Sequence, residues 1–177
     1  MNKTNKYLLD GQESSRLLFR KALASDASVW FEYFKNPITS RFWSAASEPP
    51  NVLCDKWYEK QFYRYENGLG GLNALIDKDS GKLLGHCGLI MQTVDDIEEL
   101  EIGYHLLPEF WGNGYAIEAA KKCKNYAFEN NLTGSLISII SLRNKPSQKV
   151  AIKNGMWIDK TSQFANNEVN IFRINKY

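Results

Sequence analysis

Between Glu99 and Asn130 the chain brings together two kinds of chemistry. Glu101 and His105 stand on the alternating run Glu99-Leu-Glu-Ile-Gly-Tyr-His-Leu, and a carboxylate or imidazole there can take a proton from a bound group. A few residues on, Gly112-Asn113-Gly114 turns the chain into a helix. A glycine turn opening a helix offers a row of unpaired N–H groups to an anion, usually a phosphate. Alternation sends Leu100, Ile102, Tyr104 and Leu106 to one face of the strand and Glu99, Glu101, Gly103 and His105 to the other. Gly103 would leave a gap between Glu101 and His105 where a ligand comes close. A dinucleotide fingerprint needs a third glycine where Ile117 stands, so that reading is set aside. What remains is an anion-binding turn or simply a tight strand-to-helix turn.

These residues need elements to hold them. Periodicity predicts a strand at Arg16–Arg20, a helix from Ala27 to Lys35, a loop from Thr39 to Asn51, and a helix from Asp55 to Glu66 closed by Asn67-Gly68. Strands follow at Leu72–Ile76 and Lys82–Gln92, joined by the turn Asp77-Lys-Asp-Ser-Gly81, and then at Glu98–Leu107. The helix after the glycine turn runs over Gly112–Asn130, with a small-residue stripe at Ala116, Ala120, Cys123 and Ala127 for close packing. Its other face carries Glu118, Lys121, Lys122 and Asn125, with Glu118–Lys122 as a surface pair and Lys124 part of a solvated lysine face. Ser135–Leu142 reads as a strand buried on both faces, Asn144–Asn154 as a short helix, and Met156–Lys160 with Glu168–Ile174 as an antiparallel pair. The order predicts a mixed α/β sheet with helices on its faces.

The 177 residues suit a single domain, 1–177, with a core over 16–174. A net charge of +2 argues against a surface for nucleic acid. No apolar run is long enough to span a membrane, and the first residues are too polar for a signal peptide. The three cysteines, Cys54, Cys87 and Cys123, make a disulfide framework a poor reading and a reducing cytoplasm a better one. No cysteine–histidine spacing suggests a metal site.

Trp111-Gly-Asn-Gly-Tyr-Ala-Ile-Glu-Ala resembles the coenzyme A pyrophosphate motif of the GNAT N-acetyltransferases, Gln or Arg, two residues, Gly, one residue, Gly or Ala. Gly114 and Ala116 match its last defined positions, and Trp111 replaces the Gln or Arg. With Leu84-Gly-His-Cys-Gly-Leu-Ile, Glu101-Ile-Gly-Tyr-His-Leu, Asn144-Lys-Pro-Ser147 and Lys153-Asn-Gly155-Met, the chain looks like the ribosomal-protein N-terminal (RimJ/RimL-like) branch.

The resemblance implies a mostly antiparallel sheet of about seven strands flanked by four helices, with acetyl-coenzyme A in a splayed gap between Glu98–Leu107 and Ser135–Leu142. Tyr104 and Leu106 would meet the pantetheine arm, and Gly112, Asn113, Gly114, Tyr115 and Ala116 the pyrophosphate. A lysine-like amine has a pKa of about 10.4, so a base must take its proton. Glu101 is the candidate base. His86 and His105 are secondary, as base or as acceptor contacts. Backbone near Leu106 would stabilise the oxyanion. Asn144 and Ser147 would serve the coenzyme and the departing thiolate, and Phe42 and Trp43 the acceptor. Each residue also has a plainer role: a paired sheet-face carboxylate for Glu101, core histidines for His86 and His105, helix capping for Asn144 and Ser147, hydrophobic plugs for Phe42 and Trp43. The acidic run Asp95, Asp96, Glu98, Glu99 is an attractor for a cationic acceptor or a polar turn. The acceptor is a protein N-terminal amine or a small amine such as a polyamine, amino acid or antibiotic; a non-catalytic acyl-coenzyme A sensor is the third reading. Monomer and homodimer remain open.

Overall fold

The computed structural model describes residues 5–42 and 48–177, so the Trp43 expectation lies outside the described residues. The elements run β1 (Leu17–Lys21), α1 (Ala27–Lys35), α2 (Pro37–Ser40), α3 (Pro50–Asn67), β2 (Gly70–Asp77), β3 (Leu83–Val94), β4 (Ile97–Leu106), α4 (Tyr115–Glu129), β5 (Ser135–Ser141), α5 (Lys145–Lys153), β6 (Trp157–Phe164) and β7 (Asn167–Asn175). Four longer helices flank the sheet, and α2 adds a single turn. The loop expected over Thr39–Asn51 is shorter, because α2 runs to Ser40 and α3 already starts at Pro50. A proline in the first helical position is no breaker: its missing N–H would have had no helical partner there. Gly68, at φ 68°, ends α3 in the left-handed conformation that glycine adopts without strain.

The seven strands form one sheet in the order β1-β2-β3-β4-β5-β7-β6. Every neighbouring pair is antiparallel except β4 with β5. One face packs on α4. There Leu100, Ile102 and Leu106 meet Ala119, Ala120, Cys123 and Ala127, with Ala116 half-buried at the margin. Small residues let the helix backbone approach the sheet, so the stripe sets the depth of this layer. Lys124 leaves the expected lysine face and donates to Asn154 O at 2.9 Å, tying α4 to the end of α5.

The other face lies under α1 and α3. The space expected beside Gly103 is filled: a Cβ there would stand 3.0 Å from Ile90 Cδ1 and 3.2 Å from Leu72 Cδ2. His86 is fully buried on this face, its ring 4.4 Å from that of Trp30 and 4.5 Å from that of Trp57. Neither ring nitrogen has a hydrogen-bond partner among the described residues, and burial lowers its pKa from 6.5 to about 3. Among the described residues no helix is long and apolar enough to cross a membrane.

The only parallel pair among the described residues is also the shortest: β4 and β5 are in register at Glu101↔Ile137 alone. A continued parallel ladder would next join Ile139 N–H to Ile102 O and Tyr104 N–H to Ile139 O. Instead the Ser138 hydroxyl donates to Ile102 O at 2.8 Å, and the Ile139 N–H faces the Glu101 carboxylate, whose pKa it lowers. The sheet therefore opens beyond Glu101.

Two measurements check this packing. Ser138→Ala leaves the buried Ile102 carbonyl unpaired and should lower unfolding free energy by about 1–2 kcal/mol in urea titration. An unchanged midpoint would show that the hydroxyl does not hold the ladder's end. The unfolded chain protonates His86 below pH 6.5 while the folded chain resists until about pH 3, so this group's stability contribution is lost as pH falls through that window. Replacing it by His86→Gln should shrink the stability difference between pH 7 and pH 5 by about 2 kcal/mol. An equally steep pH dependence in the variant would place the titrating group elsewhere.

Candidate active site

The opening in the sheet has a backbone wall. Leu107 N–H donates across to Leu84 O at 2.9 Å, so residue 107 directs its polar groups toward β3. Strand alternation then turns the N–H and C=O of Tyr104 and Leu106 toward β5, where the ladder has ended. The Trp111 indole donates to Leu106 O at 2.8 Å. That carbonyl is thus satisfied from the turn, and the N–H groups of Tyr104 and Leu106 face the gap. The Tyr104 hydroxyl crosses to Ser147 O at 2.8 Å and pins the start of α5 against the gap.

Asn144 and Ser147 meet at that helix start. Asn144 Oδ1 accepts from Ser147 N–H at 3.2 Å, which is an N-cap. The cap uses only the backbone of Ser147. Its hydroxyl has no hydrogen-bond partner among the described residues and is half-buried at the gap.

Glu101 closes the narrow end. Its side chain is buried, and burial raises its pKa above the ordinary carboxylate value. The Gln92 amide, the Ile139 N–H, Arg64 and Lys60 pull the other way without cancelling that rise. Gln92 Nε2 donates to Glu101 Oε2 at 2.9 Å, while Gln92 Oε1 accepts from Arg64 Nη2 at 3.3 Å. Arg64 is itself anchored on Met91 O at 2.8 Å. A carboxylate fixed this way, with its proton affinity raised, is suited to taking a proton from a neighbouring group.

Further along the same face, His105 Nδ1 lies 3.1 Å from the Tyr33 hydroxyl of α1. Burial lowers the His105 pKa from 6.5 to about 4, so it is neutral at physiological pH. His86 lies beneath, sealed by the α1 and α3 aromatics. Phe42 sits at the end of the first described segment with the Arg41 guanidinium 4.5 Å over its ring. Two of the four residues of the acidic run are spoken for inside the molecule. Asp95 pairs with Lys160 at 2.6 Å, and Glu99 with Arg173 at 2.6 Å.

At the wide end stands the glycine turn. Gly112 and Gly114 have φ of 78° and 81°, a conformation that excludes most side chains at low cost. Gly114 is the N-cap of α4 and caps it with no side chain, leaving the first-turn N–H groups of Tyr115 and Ala116 for an anion. The expected Glu118–Lys122 pair does not form. Glu118 instead takes Arg16 Nε at 2.7 Å, Arg16 N–H at 2.7 Å and the Ser14 hydroxyl at 2.7 Å. The segment leading into β1 offers three donors at once, two from Arg16 and one from Ser14, which a lysine one turn along cannot.

The structure thus brings Glu101, Tyr104, Leu106, Asn144 and Ser147 to one gap and the glycine turn to its mouth. Sequence reasoning missed Ser138, Gln92, Arg64, Tyr33 and Arg16. Ser138 alone left a trace, as a hydroxyl in the middle of an apolar strand.

This geometry has known counterparts. Residues 16–157 match the family model for an acetyltransferase (GNAT) domain. The YkkB protein of Bacillus subtilis strain 168 is 37% identical over 115 residues, covering 64% of this chain and 67% of YkkB. The acetyltransferase from Agrobacterium tumefaciens C58 superposes with a TM-score of 0.78 at 21% identity, covering 93% of each chain. The ribosomal L7/L12 alpha-N-protein acetyltransferase RimL, solved with coenzyme A, superposes with a TM-score of 0.74 at 14% identity over 93% of this chain and 97% of that one. The matched model covers most of the chain, and with it the opened sheet, the gap and the glycine turn: this protein belongs to the GNAT acetyltransferase family.

Proposed function

We propose that the chain, acting as a single N-acetyltransferase domain, moves the acetyl group of acetyl-coenzyme A to a primary amine, with a protein N-terminal amine as its acceptor class. The observation that carries the reading is the end of the β4–β5 ladder at Glu101, which puts free backbone donors and a fixed carboxylate on the same gap. The residues fit the coenzyme chemically. The N–H groups of Tyr104 and Leu106 suit an amide-bearing arm, and the uncapped start of α4 suits a pyrophosphate. RimL, named for acting on a ribosomal protein's N-terminus and solved with coenzyme A, shares the fold and supports the choice of acceptor.

In this reading Glu101 accepts the proton of the attacking amine, directly or through water. Gln92 and Arg64 hold the carboxylate in place. Neutral His105, bonded to Tyr33, lines the acceptor side with Phe42. Ser147, its backbone held by Asn144 and Tyr104, offers its hydroxyl to the departing thiolate.

The experiment is thiol release from acetyl-coenzyme A against a panel of N-terminal peptides and small amines. Turnover with peptides above that with polyamines is expected, and binding without turnover on any amine would refute the enzyme reading. Glu101→Gln should lower kcat by about 10²–10⁴-fold while leaving acetyl-coenzyme A affinity nearly unchanged. Because burial raises the Glu101 pKa, the wild-type rate should fall as pH drops through that raised value, and the variant should lack this limb. An unaltered rate and pH profile would remove Glu101 from the proton path.

A further inference from the structure

The glycine turn is short of positive charge. From Pro108 through Ala120 the chain has no lysine or arginine, and it carries two carboxylates, Glu109 and Glu118. A pyrophosphate diester brings two negative charges at neutral pH, against which the helix N-terminus supplies only about half a unit of positive charge. Glu118 makes matters worse if left alone, because it stands in the first turn of α4.

One side chain from far away in the sequence meets this deficit. Arg16, at the edge of β1, reaches the turn from 97 residues before Asn113 and donates from Nη1 to Asn113 O at 3.0 Å. Its Nε holds Glu118 Oε2 at 2.7 Å, and its guanidinium carbon lies 4.2 Å from the Tyr115 ring centre. The third nitrogen, Nη2, has no hydrogen-bond partner among the described residues. It stands 3.4 Å from where a Cβ of Gly114 would be, so it borders the turn itself. The side chain keeps 41% of its surface exposed, which leaves Nη2 accessible to a ligand. The arrangement locks the planar fork on two sides and leaves its third donor facing the turn.

Building on the acetyl-coenzyme A reading, we propose that Arg16 is the cation of the pyrophosphate site, neutralising Glu118 through Nε and donating to a phosphate oxygen through Nη2. It supplies from β1 the charge that Trp111 does not. The ion pair with Glu118 is then a support for the site as well as a stabilising contact: burial would push the Glu118 pKa up, but the Arg16 N–H, the Ser14 hydroxyl and the Arg16 guanidinium outweigh it and keep the group ionised, so its charge must be balanced before an anion can bind.

The test compares acetyl-coenzyme A with S-acetylpantetheine, which lacks the pyrophosphate and nucleotide, by tryptophan fluorescence titration. Arg16→Gln should weaken acetyl-coenzyme A by about tenfold or more and leave S-acetylpantetheine unchanged. Glu118→Gln should bind acetyl-coenzyme A at least as tightly as wild type, since an anion leaves the site and Arg16 stays. Arg16→Lys, which keeps the charge without the fork, should fall between wild type and Arg16→Gln, and it carries the test should Arg16→Gln fail to fold. Wild-type affinity in Arg16→Gln overturns the proposal. So does an equal loss in Arg16→Gln and Glu118→Gln on both ligands, which would make the pair a strut for the helix. A wild-type protein that binds no acetyl-coenzyme A would overturn the coenzyme reading itself, and this inference with it.

Discussion

The hydrogen bonds that end the β4–β5 ladder are the constraint on which the site depends. Past Glu101↔Ile137 the next rungs are replaced. A serine hydroxyl satisfies Ile102 O, and the Glu101 carboxylate stands opposite the Ile139 N–H, which lowers its pKa. An unpaired buried carbonyl or N–H would cost about 1–3 kcal/mol, so these substitutes let the strands part without that penalty. The same carboxylate that ends the pairing then stands at the head of the opening. Catalytic candidate and architectural wedge are one side chain.

The rest of the fold holds that opening in shape. On one face, the small side chains of α4 bring its N-terminus down to the sheet, so the glycine turn faces the wide end of the gap. Trp111 and Tyr104 then tie the turn to β4 and β4 to α5. On the other face, α1 and α3 bury Trp30, Tyr58 and His86 and set Tyr33 against His105. Burial lowers the pKa values of both histidines, so the two imidazoles are neutral at physiological pH. Burial raises the proton affinity of the Glu101 carboxylate, and Arg64 and Lys60 lower it without cancelling that rise.

What was legible in the sequence was local. Alternation placed Glu101 and His105 on one face of β4, and glycine spacing located the turn. Asn144 at the head of a proline-containing helix signalled a cap, and the order of elements signalled the mixed sheet. The failures came from partners distant in the chain. The gap beside Gly103 is filled by Leu72 and Ile90, and Glu118 is claimed by Arg16 and Ser14. In the acidic run, Asp95 and Glu99 pair with Lys160 of β6 and Arg173 of β7, in keeping with the polar-turn alternative. Periodicity assigns a residue to a face, but what fills the space above that face depends on strand order and register. Proline misled in one place, at Pro49-Pro50, because its effect reverses between the interior and the first turn of a helix.

The central claim is that the backbone exposed where the ladder stops is the acetyl-coenzyme A wall. Amide hydrogen exchange, resolved residue by residue with and without saturating acetyl-coenzyme A, tests it directly. The account predicts that the Tyr104 and Leu106 amides exchange readily in the free protein and slow markedly in the complex, while Ile102, inside the surviving ladder, is protected in both. Saturable binding that leaves Tyr104 and Leu106 unchanged would contradict it.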